Sequence, residues 1–377
     1  MELIFYCRSG YEADLLAELQ DKLAINNHYG YGKFNKNDAL VRFHLNKQNP
    51  DHIQSINEIT RLNAKLPKFS ELIFARQKLF LLSDIAFKTD NRVAEILAYL
   101  QMACPKQSFS EVFVEYAENE KNKKIAKFCK KFLVPLRTAL RKLNLLTPIG
   151  NDTKSSVRLH AIFETSANCT LAISIVNDSS SNPMGIKRLK MPQEAPSRST
   201  LKLEEALLLF FSQNQQTALF TKGMRAVDLG ACPGGWTYQL IKRNIIVEAV
   251  DHGEIAENLL QTGLVEYYSQ DGFLYEPQQG NVDWLVCDML EQPSRVADLM
   301  LKWLVSRKAN AAIFNLKLPM AKRYKVVSVI LQNIKNTLST HFEEYHFAAK
   351  QLYHNRDEIS IVIITNTQLL KALAKPN

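Results

Sequence analysis

Residues 224–240 read Met-Arg-Ala-Val-Asp-Leu-Gly-Ala-Cys-Pro-Gly-Gly-Trp-Thr-Tyr-Gln-Leu. A short apolar and β-branched run from Arg225 to Leu229 contains Asp228 and leads into Gly230. A Pro233-Gly234-Gly235 turn follows, and the amphipathic stretch from Trp236 to Arg243 reads as a helix. A strand, a tight glycine loop and a helix N-terminus together form the device by which open α/β sheets hold nucleotide-like ligands. The dinucleotide version needs a glycine in the middle of the loop, so that a pyrophosphate can approach the backbone. Here Cys232 stands in the middle, between Gly230 and Gly235. The loop therefore suits a ligand without a pyrophosphate, and S-adenosyl-L-methionine is the leading candidate.

Working outward, the pattern from Thr200 onward repeats strand and helix. Strands are expected at 225–229, 245–250, 265–269, 283–288, 311–316, 345–350 and 359–365. Seven strands separated mostly by helical runs predict an α/β, doubly wound sheet closed by an antiparallel pair at its C-terminal end. Upstream, Glu2–Cys7 and Ala39–Phe43 read as strands flanking a helix over Tyr11–Leu23, which suits a small α+β unit. A second unit runs from about residue 80 to 178, with strands at Val112–Tyr116, Val157–Phe163 and Cys169–Val176. Between the first two of these lies a basic helical region, Lys121–Leu143, with an interruption expected at Pro135. Residues 177–199 are rich in turn formers and read as a connector.

Charge divides unevenly along the chain. Residues 1–180 carry 25 Lys and Arg against 19 Asp and Glu, residues 181–200 carry 4 against 1, and residues 201–377 carry 18 against 18. The whole net charge of +9 thus lies upstream of the sheet that bears the glycine loop. A basic half beside a neutral half suggests a polyanion gripped by one and modified by the other. Ordinary solubility charge is the competing reading. Within the basic helical region, a solvated face and phosphate contact are equally open. The six cysteines, at 7, 104, 129, 169, 232 and 287, include no C-x-x-C pair, which argues for reduced thiols in a cytosol and against a metal site. No apolar run approaches the ~18 residues of a membrane span, and the N-terminus lacks the layout of a secretory signal.

Several polar residues fall at the expected strand ends. Asp251 ends the second strand of the C-terminal sheet, where an acid can accept hydrogen bonds from ribose hydroxyls, a feature that NAD sites share. Asp271 follows the third strand, where it would meet an adenine amino group or simply face solvent. Asp288 closes the fourth. Lys317 ends the fifth after largely apolar residues, a position that is costly for an amine unless it snorkels or has a partner. Lys202 opens a helix behind a Ser/Thr cap, and Glu358 precedes the last strand. Taken singly, each is as readily structural as catalytic. Together they bring two lysines and two carboxylates to one sheet edge.

Pro196-Ser-Arg-Ser-Thr-Leu-Lys-Leu-Glu-Glu-Ala206, the 228–240 loop and helix, Phe314-Asn-Leu-Lys-Leu-Pro-Met320 and Leu72-Ile-Phe-Ala-Arg-Gln77 resemble the signatures of the large-subunit ribosomal RNA methyltransferase M family. That family is related to the heat-shock-type ribose 2′-O-methyltransferases with a Lys-Asp-Lys-Glu tetrad. The resemblance runs over nearly the whole chain and implies a ferredoxin-like unit at 1–80, a THUMP RNA-binding domain at 81–178 and a basic linker at 179–200. A Rossmann-like methyltransferase domain at 201–377 completes the arrangement. It implies S-adenosyl-L-methionine as cofactor and a cytidine ribose of 23S rRNA in the peptidyl-transferase region as substrate. Lys317 is then the general base, oriented by Asp288, with Lys202 and Glu358 positioning the ribose. Cofactor contacts are expected from Ser199, Asp228, Gly230, Cys232, Pro233, Gly234, Gly235, Trp236, Asp251, Asp271 and Asp288. A cytoplasmic monomer with no metal, no membrane and no obligate protein partner completes the expectation. Competing readings are a nicotinamide oxidoreductase, against which the missing middle glycine and the basic half count, and a non-catalytic RNA-binding or assembly factor, against which the complete tetrad counts. The same chemistry on another RNA stays open.

Overall fold

The computed structural model describes residues 1–46, 56–105, 107–147 and 156–374. The chain forms two compact units, Met1–Lys187 and Arg188–Asn377. In the first, the order is β1 (Glu2–Tyr6), α1 (Glu12–Ile25), β2 (Gly30–Lys33), β3 (Leu40–Leu45), α2 (Ile56–Asn63), β4 (Gln77–Ala86) and α3 (Arg92–Ala103). β5 (Val112–Glu115), α4 (Ala126–Lys142), β6 (Val157–Thr165) and β7 (Asn168–Ile175) complete it. The first four strands lie side by side as β2-β3-β1-β4, the split β-α-β arrangement of a ferredoxin-like fold. The same sheet then continues through β7, β6 and β5. β4 joins the two halves, pairing with β1 through Gln77–Phe80 and with β7 through Phe80–Ala86. The division expected at residue 80 therefore falls inside a shared strand.

A buried polar cluster ties these strands together. His160 Nδ1 lies 2.7 Å from Glu115 Oε1, and its Nε2 lies 2.8 Å from Ser174 Oγ. The Tyr6 hydroxyl donates to the same Glu115 oxygen. A serine, histidine and carboxylate in line suggest a nucleophilic site, but His160 and Ser174 are wholly buried and Glu115 is 1% exposed. Without access for a substrate, the cluster is a structural clamp across β1, β5, β6 and β7.

α4 runs unbroken through Pro135, correcting the interruption expected there. Cys129 and Phe132 precede the proline and Leu136 and Leu140 follow it, all buried along one face. That continuous packing outweighs the missing N–H. Around the opposite face, Lys127, Lys130, Lys131 and Arg141 are exposed, and they have no ion-pair partners among the described residues.

The second unit begins with α5 (Thr200–Phe210) and α6 (Gln213–Leu219). Then come β8 (Arg225–Leu229), α7 (Gly235–Ile241), β9 (Ile246–Val250), α8 (Glu257–Leu260), β10 (Val265–Tyr268), β11 (Val282–Cys287), α9 (Pro293–Val305) and β12 (Ala309–Lys317). α10 (Arg323–His341), β13 (His346–Lys350), β14 (Glu358–Ile364) and α11 (Thr367–Leu373) close it. All seven expected strands are present, in the order β10-β9-β8-β11-β12-β14-β13. β10, β9, β8, β11 and β12 are parallel, and β14 runs antiparallel to both of its neighbours. The strand order reverses between β8 and β11. In an open sheet this switch point leaves a crevice at the carboxyl ends of the two strands. The glycine loop after β8 and Asp288 after β11 both lie there.

Candidate active site

The glycine loop is shaped by close approach. Gly230 has φ +76° and lies against Met289, where a Cβ would come 2.5 Å from Cγ. Gly234 has φ +111°, and a Cβ there would meet Leu259 at 2.3 Å. At Gly235, the first residue of α7, an added Cβ would fall 2.0 Å from Ser199 Oγ and 3.0 Å from the Thr200 backbone nitrogen. The start of α5 therefore packs directly on the start of α7. Ser197, Ser199, Lys202, Gly230, Cys232, Pro233, Trp236, Asp288 and Leu290 line a cavity of about 280 Å³ between them. This is close to the lower bound of ~300 Å³ typical of small-ligand clefts.

Two buried polar atoms at this end of the sheet, Asp228 Oδ1 and Trp236 Nε1, have no hydrogen-bond partner among the described residues. The other Asp228 oxygen accepts from Thr237 Oγ1 at 2.6 Å. Full burial, against that hydrogen bond, pushes the Asp228 carboxyl up to about 7. Unspent polar atoms beneath a bare glycine backbone fit a polar cofactor such as S-adenosyl-L-methionine. Asp251 braces the loop, its two oxygens accepting from the backbone N–H groups of Cys232 at 2.9 Å and Gly253 at 3.0 Å. Asp271 is exposed, and its Oδ1 accepts from the Phe273 N–H in a turn.

Beside the cavity three members of the expected tetrad meet. Lys202 Nζ lies 3.1 Å from each Asp288 oxygen and 2.7 Å from Glu358 Oε2, with all three side chains less than one-fifth exposed. The contact with Glu358 is a close ion pair. Burial pulls the Lys202 ammonium down, but the attraction of Asp288 and Glu358 outweighs it and holds the group above the ordinary lysine value. Burial raises Asp288, Lys202 opposes the rise and Glu358 reinforces it.

Lys317, the last residue of β12, is the cross-strand partner of Glu358. It is exposed, with no hydrogen-bond or ion-pair partner among the described residues. This corrects the expectation that Asp288 orients Lys317. Both Asp288 oxygens are held by Lys202, and Oδ1 also accepts from Asn315 Nδ2 at 2.7 Å, so the carboxylate is already satisfied. Ser197 and Asn315 were missed in the sequence. Their signal was available: Ser197 lies two residues before Ser199, and Asn315 is a lone polar residue between Phe314 and Leu316.

Three family models match the chain: "RlmM ferredoxin-like domain" over residues 1–79, "Ribosomal RNA large subunit methyltransferase M, N-terminal" over 91–175, and "FtsJ-like methyltransferase" over 195–347. The second covers most of the segment expected to be a THUMP domain. Among curated proteins, the ribosomal RNA large subunit methyltransferase M of Histophilus somni is 44% identical over 369 residues, covering 96% of this chain and 99% of that protein. The protein of the same name from Alteromonas mediterranea is 42% identical over 370 residues, covering 97% and 98%. No helix among the described residues is long and apolar enough to cross a membrane.

Proposed function

The chain belongs to the ribosomal RNA large subunit methyltransferase M family, and from that premise we propose that it methylates the ribose 2′-oxygen of a cytidine in 23S rRNA. The observation that carries this reading is the cluster of Lys202, Asp288 and Glu358 beside the glycine-loop cavity, with Lys317 in register beside Glu358. When bound, S-adenosyl-L-methionine supplies an electrophilic methyl group on a sulfonium. A ribose hydroxyl is a very weak acid, so its oxygen attacks only as its proton leaves. Lys317, in its neutral form, takes that proton on Nζ. An amine that must meet a hydroxyl arriving from solvent has to be accessible beforehand, and the exposure of Lys317 fits this role. General-base catalysis contributes roughly 10²–10⁴-fold, and in-line positioning of oxygen and methyl contributes more.

Lys202 acts differently. Flanked by two carboxylates it stays protonated, and it fixes Asp288 and Glu358 beneath the ribose. Ser199, the 230–236 loop, Asp251 and Asp271 hold the cofactor. In the first unit, residues 81–178 serve as the RNA-binding domain, with the cationic face of α4 meeting phosphates. The protein acts as a monomer in the cytoplasm.

Transfer of labelled methyl groups to rRNA lacking the modification tests the proposal, followed by alkaline hydrolysis. Resistance of the phosphodiester bond 3′ to a single cytidine is the expected result. Label on a base, with every bond still cleaved, would overturn ribose methylation.

A further inference from the structure

Three polar side chains lie in a row behind Asp288, where strands of this kind otherwise carry apolar residues. Asn355 Nδ2 donates to Ser360 Oγ at 2.9 Å, Ser360 Oγ donates to Asn315 Oδ1 at 2.6 Å, and Asn315 Nδ2 donates to Asp288 Oδ1 at 2.7 Å. Asn355 and Ser360 are wholly buried and Asn315 is 2% exposed. Asn315 and Ser360 are directly opposite each other on β12 and β14, and Phe314, Leu316, Ile359 and Ile361 around them are apolar and buried. Burying three polar groups at this point costs stability unless hydrogen bonds compensate, and the row supplies such bonds along its length.

Resting on the reading of Asp288 as part of the reaction centre, we propose that Asn315 is a positioning residue for Asp288, its amide locked in one orientation by Ser360 and Asn355. The direction follows from the chemistry of each group. An ionised carboxylate only accepts, so Asn315 turns its Nδ2 to Asp288 and its carbonyl oxygen to Ser360, whose single proton goes to that oxygen while its lone pair accepts from Asn355 Nδ2. A flipped amide would set its oxygen against the carboxylate. The far end of the row is also fixed. The backbone N–H groups of Tyr353 and His354, beside Asn355, each donate to Glu205 at 2.8 Å, and Glu205 shares α5 with Lys202. One helix thus anchors both the cation on Asp288 and the loop at the end of the row.

The Asn315 donor favours ionised Asp288 and so opposes burial and the neighbouring Glu358. The other ionisable groups around Asp288 are Lys202 on α5, Asp228 on β8 and the buried Cys287 thiol on β11. Without Asn315, Asp288 takes up a proton at higher pH, loosens Lys202 and stops turnover from the acid side.

The test uses full-length Asp288→Ala, Asn315→Ala and Ser360→Ala, assayed on rRNA lacking the modification across pH 5.5–9, with cofactor affinity measured in parallel. For Asn315→Ala, kcat falls roughly 10–100-fold, the effect expected from losing a hydrogen bond to a charged group. Its acid limb moves up by about one pH unit while cofactor Kd stays within about twofold. Ser360→Ala moves both quantities in the same direction by less. An unchanged kcat and pH profile in Asn315→Ala overturns the inference, and so does a loss of kcat matched by an equal loss of cofactor binding. If Asn315→Ala does not fold, the acid limb of Ser360→Ala decides, and an unshifted limb counts against the inference. An inactive Asp288→Ala beside a normal Asn315→Ala removes only the positioning role, whereas a fully active Asp288→Ala removes the proposed reaction centre itself.

Discussion

Replacing Asp228 by Asn isolates the effect of a wholly buried carboxyl at the cofactor end of the sheet. Burial pushes this carboxyl up to about 7, with smaller upward contributions from Asp288 and Asp251 set against the Thr237 hydrogen bond. In the unfolded chain it titrates near 3.9. The folded state therefore keeps a proton that the unfolded state has released. This contribution to stability is complete below about pH 4 and disappears as pH rises through about 7. Between pH 5 and pH 8 only the two units up to about 7 count, and at about 1.36 kcal/mol per unit they amount to about 2–3 kcal/mol. The group is fully buried, so solvent screening takes little from that figure. Asn is neutral throughout and lacks the slope. All three tryptophans, at 236, 284 and 303, are buried in the second unit, so urea unfolding followed by their fluorescence reports on that unit. Subtracting variant from wild type at each pH, without cofactor, cancels most other titrating groups. The difference is expected to favour the wild type at pH 5 by about 2–3 kcal/mol more than at pH 8. A difference flat to within about 0.5 kcal/mol would mean that Asp228 is ionised throughout, and the argument from burial would fail.

Lys317→Ala is expected to lower turnover by roughly 10²–10⁴-fold with cofactor Kd nearly unchanged, and retained turnover would remove this amine as the base. Gly235→Ala drives a Cβ to 2.0 Å from Ser199 Oγ and 3.0 Å from the Thr200 backbone nitrogen. Overpacking of about 1–3 kcal/mol should weaken cofactor binding by roughly 5–150-fold in calorimetry, and unaltered affinity would refute the packing argument. Changing Lys127, Lys130 and Lys131 of α4 together to Glu should raise KM for rRNA, most of all at low salt, while cofactor affinity holds. An unchanged KM would leave the helix as a solvated face.

The fold was legible where periodicity and loop chemistry agreed. In the second unit β8, β9 and β11 are apolar runs ended by Gly230, Asp251 and Asp288, and the glycine loop marked the switch point. In the first unit β2 escaped, because Gly30-Tyr-Gly-Lys33 carries two residues with poor strand propensity. Its glycines answer a tertiary demand. A Cβ at Gly30 would fall 2.1 Å from the His44 carbonyl oxygen, and one at Gly32 would fall 2.2 Å from Leu16 Cδ1. Pro135 misled in the opposite direction, since a local helix-breaking rule lost to packing on both sides of the residue. In the site, residue types and strand ends gave the members, but partners depend on side-chain reach. In one dimension Asp288 was paired with Lys317 because their strands are sequence neighbours, and only the three-dimensional fold brought Lys202 of α5 to Asp288.

That exchange of partners divides the two lysines by what they touch. Lys202 lies between Asp288 and Glu358 and ties the end of β11 to the start of β14. Lys317 stands in register with Glu358 and is exposed, with no hydrogen-bond or ion-pair partner among the described residues. On the proposed mechanism, the amine that meets the hydroxyl is thus the one the cluster leaves uncommitted, and the amine that holds the carboxylates in place is the one already engaged on both sides.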